Sequence, residues 1–185
     1  MIKRSVIPWE EFQCPVCKLW AKDWLLLSAG DFKADKYNMM TVGWGTIGIL
    51  WRKPCAMILV RPQRFTLPIL EEFPTFTLTA FPESHRKALN FCGTESGKDH
   101  PWKAQDAGLT PIAADVVGAP SYEEAELVLE CVKTYRTDML ESEILKEMIP
   151  AEFYPEKDYH RIFFGEIVNI SGTEKYRMQP EGKQA

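Results

Sequence analysis

The chain has 185 residues, 45% of them hydrophobic and 12% aromatic, which suits one domain with its own core and excludes a disordered chain. A formal net charge of −4 argues against nucleic acid as a main partner but leaves room for a small anion in a local cationic pocket. No apolar run approaches the roughly 20 residues of a membrane helix, and the opening "MIKRSVIPWEEF" lacks the apolar stretch of a secretion signal. The five cysteines are irregularly spaced, so free thiols in a reducing cytoplasm are expected.

In chain order, the first segment, roughly 1 to 18, is polar and reads as peripheral. Its "CPVC" (14–17) invites a zinc reading, but a structural zinc needs four ligands and no second CxxC or HxxxH pair follows. Two free thiols, Cys14 and Cys17, are expected instead. "WLLLSAG" (24–30), "MMTVGWGTIGIL" (39–50) and "CAMILVRP" (55–62) read as strands, each apolar and bounded by Gly, Pro or Asp. A helix over 65–73, a strand over 75–81 and a helix over 84–92 follow. Residues 109–125 read as a short strand plus loop, and 125–136 as a strand. The spacing over 142–149 predicts a helix stopped by Pro150, before a last strand at 161–170 and a polar tail from 172. Strands dominate without strict helix alternation, which predicts a single, mostly antiparallel β-barrel with peripheral helices (core about 20–170) rather than a doubly wound sheet.

Three stretches bear chemistry. In "NMMTVGWGTIG" the glycines Gly43, Gly45 and Gly48 thin a strand. They either let a flat ligand approach the backbone or mark a bulge or barrel corner. In "RPQRFT", Arg61 and Arg64 can donate charge-assisted bonds to phosphate and Thr66 adds a hydroxyl; the plainer alternative is a surface arginine pair with a capping threonine. "FCGTESGKDH" is not the ATP loop, since only three residues separate Gly93 from Gly97 and Asp99 follows Lys98. Its glycines permit the positive φ angles of an anion nest beside Lys98, although Gly93 could equally be a helix stop. Taken together, the last two stretches suit one phosphate held from two sides. His85 reads as solvated, His100 as a cap, and His160 as either a strand cap or a ligand contact at a barrel mouth. No hydrolytic constellation is visible, as expected where a cofactor performs the chemistry.

The succession "YNMMTVGWGTIGILWRKPCAMILVRPQRFT", "ALNFCGTESGKD", "AGLTP", "AELVLEC" and "DYHRIFFGEIV" resembles the flavin reductase-like, flavoredoxin-containing branch of the FMN-binding split-barrel proteins, from about residue 20 to 170. The resemblance implies a Greek-key split β-barrel with peripheral helices, forming a homodimer with FMN at the subunit interface. It places Asn38, Thr41, Val42, Gly43, Trp44 and Gly45 along the flavin ring and ribityl chain. Arg61, Arg64, Phe65 and Thr66 would meet the ribityl and phosphate, and Cys92, Gly93, Ser96, Gly97 and Lys98 would close the phosphate site. His160 would approach the flavin or nicotinamide face. Relatives often carry Arg where this chain has Lys98, and the segment 137–158 is longer here and carries a helix. The implied activity is hydride transfer from NAD(P)H to flavin; the alternative is an electron carrier with bound FMN serving a redox protein or flavin-dependent enzyme.

Overall fold

The computed structural model describes residues 2–179. The chain opens with β1 (Ser5–Val6) and a short helix α1 (Val16–Lys18) that runs into a π-helical turn at Leu19–Asp23. Four strands follow: β2 (Leu25–Asp31), β3 (Lys36–Val42), β4 (Gly45–Leu50) and β5 (Lys53–Val60). Helix α2 (Thr66–Glu72), strand β6 (Thr75–Ala80), helix α3 (Arg86–Thr94) and helix α4 (Lys103–Asp106) come next. The chain closes with β7 (Pro111–Ala113), β8 (Pro120–Tyr122), β9 (Leu127–Asp138), α5 (Met148–Phe153) and β10 (Arg161–Gly172).

The main sheet has the order β3-β2-β6-β9-β10-β5-β4, with β1 added on β10 and every pairing antiparallel. Its two edge strands, β3 and β4, are consecutive in the chain and separated only by Gly43 and Trp44. Three Cα steps span at most about 11 Å, so the sheet must curl until its edges meet. The barrel closes there without a ladder between β3 and β4, and that gap is the split. The link through α2 from β5 to β6 passes over β10 and β9, giving a Greek-key crossover.

β2 explains the unbroken apolar run "WLLLSAG". Leu25, Leu27 and Ala29 fill the barrel core, whereas Leu26 joins a second core under α3 and α4 with Met39, Leu89, Ala104 and Tyr122. Alternate side chains face opposite sides of a strand, so one buried on both faces has no solvent-facing face to make polar; Ser28, the one polar residue in this run, is buried and bonded to the Tyr122 hydroxyl at 2.8 Å.

The expected single strand over 39–50 is two strands, because β3 pairs with β2 and β4 with β5. The helix expected over 142–149 is a 3₁₀ turn at Glu141–Glu143 followed by α5, and Pro150 does not stop it. Pro150 lies in the first turn of α5, where an amide N–H has no intrahelical partner to lose. The segment 109–125 holds a two-stranded ladder, β7 with β8, instead of one strand. The ends are not peripheral: β1 pairs with β10, Phe12 bridges to Arg177, and Ile7 and Tyr176 are buried in the barrel core.

Candidate functional site

The split exposes a cavity of about 230 Å³ walled by Thr41, Val42, Gly43 and Trp44 on one side and by Leu59, Arg61, Arg64, Gly93 and His160 on the other. A second cavity of about 190 Å³ takes in Asn38, Gln63, Arg64, Phe65, Thr66, the turn Thr94–Gly97 and Lys103. Both include Met40 and Arg64, so they share a wall. The glycine-rich link, the end of β5 and the end of α3 therefore converge on one cleft.

The second cavity is cationic. Arg64 donates to the Gly93 carbonyl at 2.7 Å, and burial lowers its pKa. Lys103 is only 4% exposed and donates Nζ–H to the carbonyls of Met39 and Cys92, each at 2.9 Å. Among the described residues neither cation forms an ion pair, although Glu95 on the same cavity wall acts on Lys103 through its charge. Burial, reinforced by the charge of Arg64, lowers the Lys103 ammonium to about 8. An ammonium has three donors, so one proton of Lys103 is not engaged by those two carbonyls. Two cations drawn out of water with one more distant carboxylate and no ion pair are costly unless an anion completes them. Beside them Asn38 donates to Thr66 Oγ1 at 2.9 Å, both residues being buried.

The first cavity is different. Arg61 forms an ion pair with Asp158 and donates to the Phe153 carbonyl at 2.9 Å. Gln63 donates to the same Asp158 carboxylate at 2.6 Å. His160 is buried, joined to the Tyr154 hydroxyl through Nδ1 by a hydrogen bond of 2.8 Å, and its ring centroid lies 5.2 Å from that of Trp44. Burial first, then the nearby Arg61 charge, lowers the imidazole to about 4, so it is neutral near pH 7. Phe153 meets Trp44 edge to face at 5.6 Å. The segment 137–158 thus covers this end of the cleft.

The structure brings most of the expected residues to the cleft: Asn38, Thr41, Val42, Gly43, Trp44, Arg61, Arg64, Phe65, Thr66, Gly93, Ser96, Gly97 and His160 all line it. Three do not. Lys98 is exposed and lines neither cavity. Cys92 is fully buried in the second core, and only its carbonyl serves the site, by holding Lys103. Gly45 is packed inward, where a Cβ would fall 2.4 Å from both the Met57 carbonyl oxygen and the Trp20 ring. The positive-φ nest does not form either, since neither Gly93 nor Gly97 has positive φ. Gly93 lies inside α3, and Gly97 is needed because a Cβ there would fall 2.3 Å from Asn38 Oδ1.

Lys103 is the residue that sequence reasoning missed. It sits in "HPWKAQDAG", which reads as a solvated helix start. Cys14 and Cys17 are free, with Cys14 half-buried and its thiol raised to about 11 by burial. Among the described residues no cluster of His, Cys, Asp or Glu could hold a metal, and no helix is long and apolar enough to cross a membrane.

No curated protein matches this chain. Among solved structures, an FMN-binding domain of a flavin reductases-like enzyme from Shewanella baltica aligns over 92% of this chain and 77% of its own, with TM-score 0.65 and 13% identity. Flavoredoxin from Methanosarcina acetivorans aligns over 85% and 72%, with TM-score 0.63 and 22% identity. An NADH:FAD oxidoreductase from Streptomyces globisporus aligns over 84% and 78%, with TM-score 0.62 and 17% identity. At such identities the likeness carries the fold, a split barrel. The family model for the flavin reductase like domain matches residues 23–180. By that match the chain belongs to the flavin reductase-like family.

Proposed function

We propose that the chain binds FMN, with the flavin ring in the first cavity and the phosphate in the second, and passes hydride from NAD(P)H to it. The observation that carries this reading is the pair Arg64 and Lys103, two desolvated cations that form no ion pair among the described residues, lining one cavity. A phosphate monoester brings about two negative charges near neutrality, which matches them. Asn38, Thr66 and Ser96 add neutral polar groups around the same cavity.

Bound flavin would supply the hydride-accepting ring. The chain's own groups hold and shield it. Thr41, Val42 and Gly43 offer a flat wall, and the Trp44 indole, 45% exposed, a platform. His160, neutral and held by Tyr154, contributes a polar group without a charge. The 137–158 segment limits water at the ring end through Phe153 and Asp158. Positioning and a preformed polar surrounding are what a cofactor-based hydride transfer asks of a protein.

A second reading, an electron carrier that exchanges electrons with a redox protein, is favoured by that same segment, because Phe153 and Asp158 narrow access for a nicotinamide. Anaerobic NADH and NADPH added to the FMN-loaded protein separate the two. Loss of the oxidised flavin's visible band with either nucleotide supports the reductase; loss only with a reduced redox protein supports the carrier.

The proposal includes a homodimer. Trp51, Tyr135 and Phe164 form a chain of ring contacts at 6.4 and 5.8 Å, with Trp51 65% and Tyr135 50% exposed. An exposed aromatic cluster of this kind suits a second copy. Sedimentation of Trp51→Glu beside the wild type tests it: the variant should run as a monomer, and a wild type that is itself a monomer would remove the dimer from the proposal.

A further inference from the structure

The cleft does not end at the second cavity. A third cavity of about 220 Å³ shares Asn38 and Lys103 with the second and no residue with the first. The three lie in a row along β3: Gly43 and Trp44 border the first, Met40 the first and second, Asn38 the second and third, and Tyr37 and Asp35 the third. Each is smaller than the roughly 300 Å³ at which nucleotide-sized pockets begin, so the ligand must occupy more than one. A flavin mononucleotide has two rigid parts, a ring and a phosphate. A flavin dinucleotide adds a third, an adenylate.

We propose that the third cavity is an adenylate subsite, so that the site described above for FMN also takes FAD and holds it more tightly, a proposal that rests on the flavin reading above. The wall fits. Trp102 is 62% exposed although the next two residues, Lys103 and Ala104, are buried, so an indole face is offered at the cavity with Tyr37 and Pro101 beside it. Aromatic faces of this kind stack nucleobases. Asp35 supplies a carboxylate on the same wall, the group that accepts from ribose hydroxyls in dinucleotide sites. Lys103 is the hinge of the arrangement. It is buried, lines both cavities and keeps a donor beyond its two carbonyl bonds, which suits a cation set between the two phosphates of a dinucleotide.

The adenylate of the nicotinamide co-substrate has the same chemistry. Its nicotinamide must reach the ring in the first cavity, whereas the third cavity lies beyond the phosphate end. FAD is therefore the source assigned.

Equilibrium titration of the full chain with FAD, FMN and riboflavin, by flavin fluorescence, tests the proposal together with Trp102→Ala and Trp102→Phe. FAD should bind at least about tenfold more tightly than FMN. Trp102→Ala should abolish that difference by weakening FAD alone, and Trp102→Phe should restore most of it. Equal affinity of the wild type for FAD and FMN would overturn the adenylate subsite and leave the flavin reading standing. So would a Trp102→Ala variant that raises KM for NADH while leaving the FAD constant unchanged. Failure to bind any of the three flavins would instead sink the flavin reading itself.

Discussion

Two arginines three residues apart, Arg61 and Arg64, line the same first cavity and have different surroundings. Arg61 is paired with Asp158, packs at 5.2 Å over the Tyr154 ring, and helps to hold the 137–158 segment down. Arg64 has no carboxylate partner among the described residues and lines the second cavity together with Lys103. A cation paired within the protein is scaffold; a desolvated cation left without a counter-ion is a binding group. Residue type and spacing do not separate these cases, but the partner does.

The sharpest break of that contrast is removal of both unpaired cations. Arg64→Ala with Lys103→Met should weaken FMN binding on the order of a thousandfold, at about 2 kcal/mol for each charged contact. Riboflavin, which lacks the phosphate, should bind both proteins within about threefold. An equal loss for riboflavin would show that the variants damage the fold and not the phosphate site.

Gly97→Ala should cost about tenfold in FMN affinity, roughly one broken hydrogen bond. A methyl at that position collides with Asn38 Oδ1 and must disturb the bond from Asn38 to Thr66. Unchanged affinity would mean that the turn Thr94–Gly97 can move aside, a point that a structure of the variant would show directly.

A subtler consequence concerns protons. With its ammonium lowered from 10.5 to about 8, Lys103 is roughly half protonated at pH 8 in the free protein. A bound phosphate, already dianionic there, should restore the charge, so binding at pH 8 should take up about half a proton; near pH 6, where Lys103 is already charged and the free phosphate is about half protonated, binding should instead release protons. Calorimetry in buffers of different ionisation enthalpy reads this directly. The sign for folding is fixed by the same shift. Between about pH 8 and 10.5 the unfolded chain holds a proton that the native one lacks, so stability of the ligand-free protein rises with pH through that window from this group. No proton uptake at pH 8 would place Lys103 away from the bound phosphate.

The smallest effect belongs to Lys98. Lying outside both cavities, it should contribute less than about twofold when changed to Ala, since solvent screens it. A loss matching that of Lys103 would reverse the assignment of the two lysines.

These tests bear on what could be read without coordinates. The β-rich architecture was legible because β2, β5 and β6 carry runs of Leu, Ile, Val and Thr bounded by turn residues. The split within 39–50 was not, because a change of ladder partner at Gly43 and Trp44 leaves no mark in local periodicity. "RPQRFT" announced itself because its arginine and threonine are neighbours in the chain. Lys98 stood out for the same reason, since it follows Gly97 in a glycine-bearing stretch, while Lys103 stands in an ordinary polar one that carries no signal.

By itself, then, the amino-acid order determined the strands, the family and the stretches that form the cleft, since those depend on local composition and on the order of segments. Which charges matter there was decided only by tertiary structure. Lys103 is buried because the carbonyls of Met39, 64 residues away, and Cys92, 11 residues away, meet above it. Arg61 is silenced by Asp158, 97 residues along the chain. The energy of a charge depends on its distance through space to water and to other charges, and only folding sets those distances.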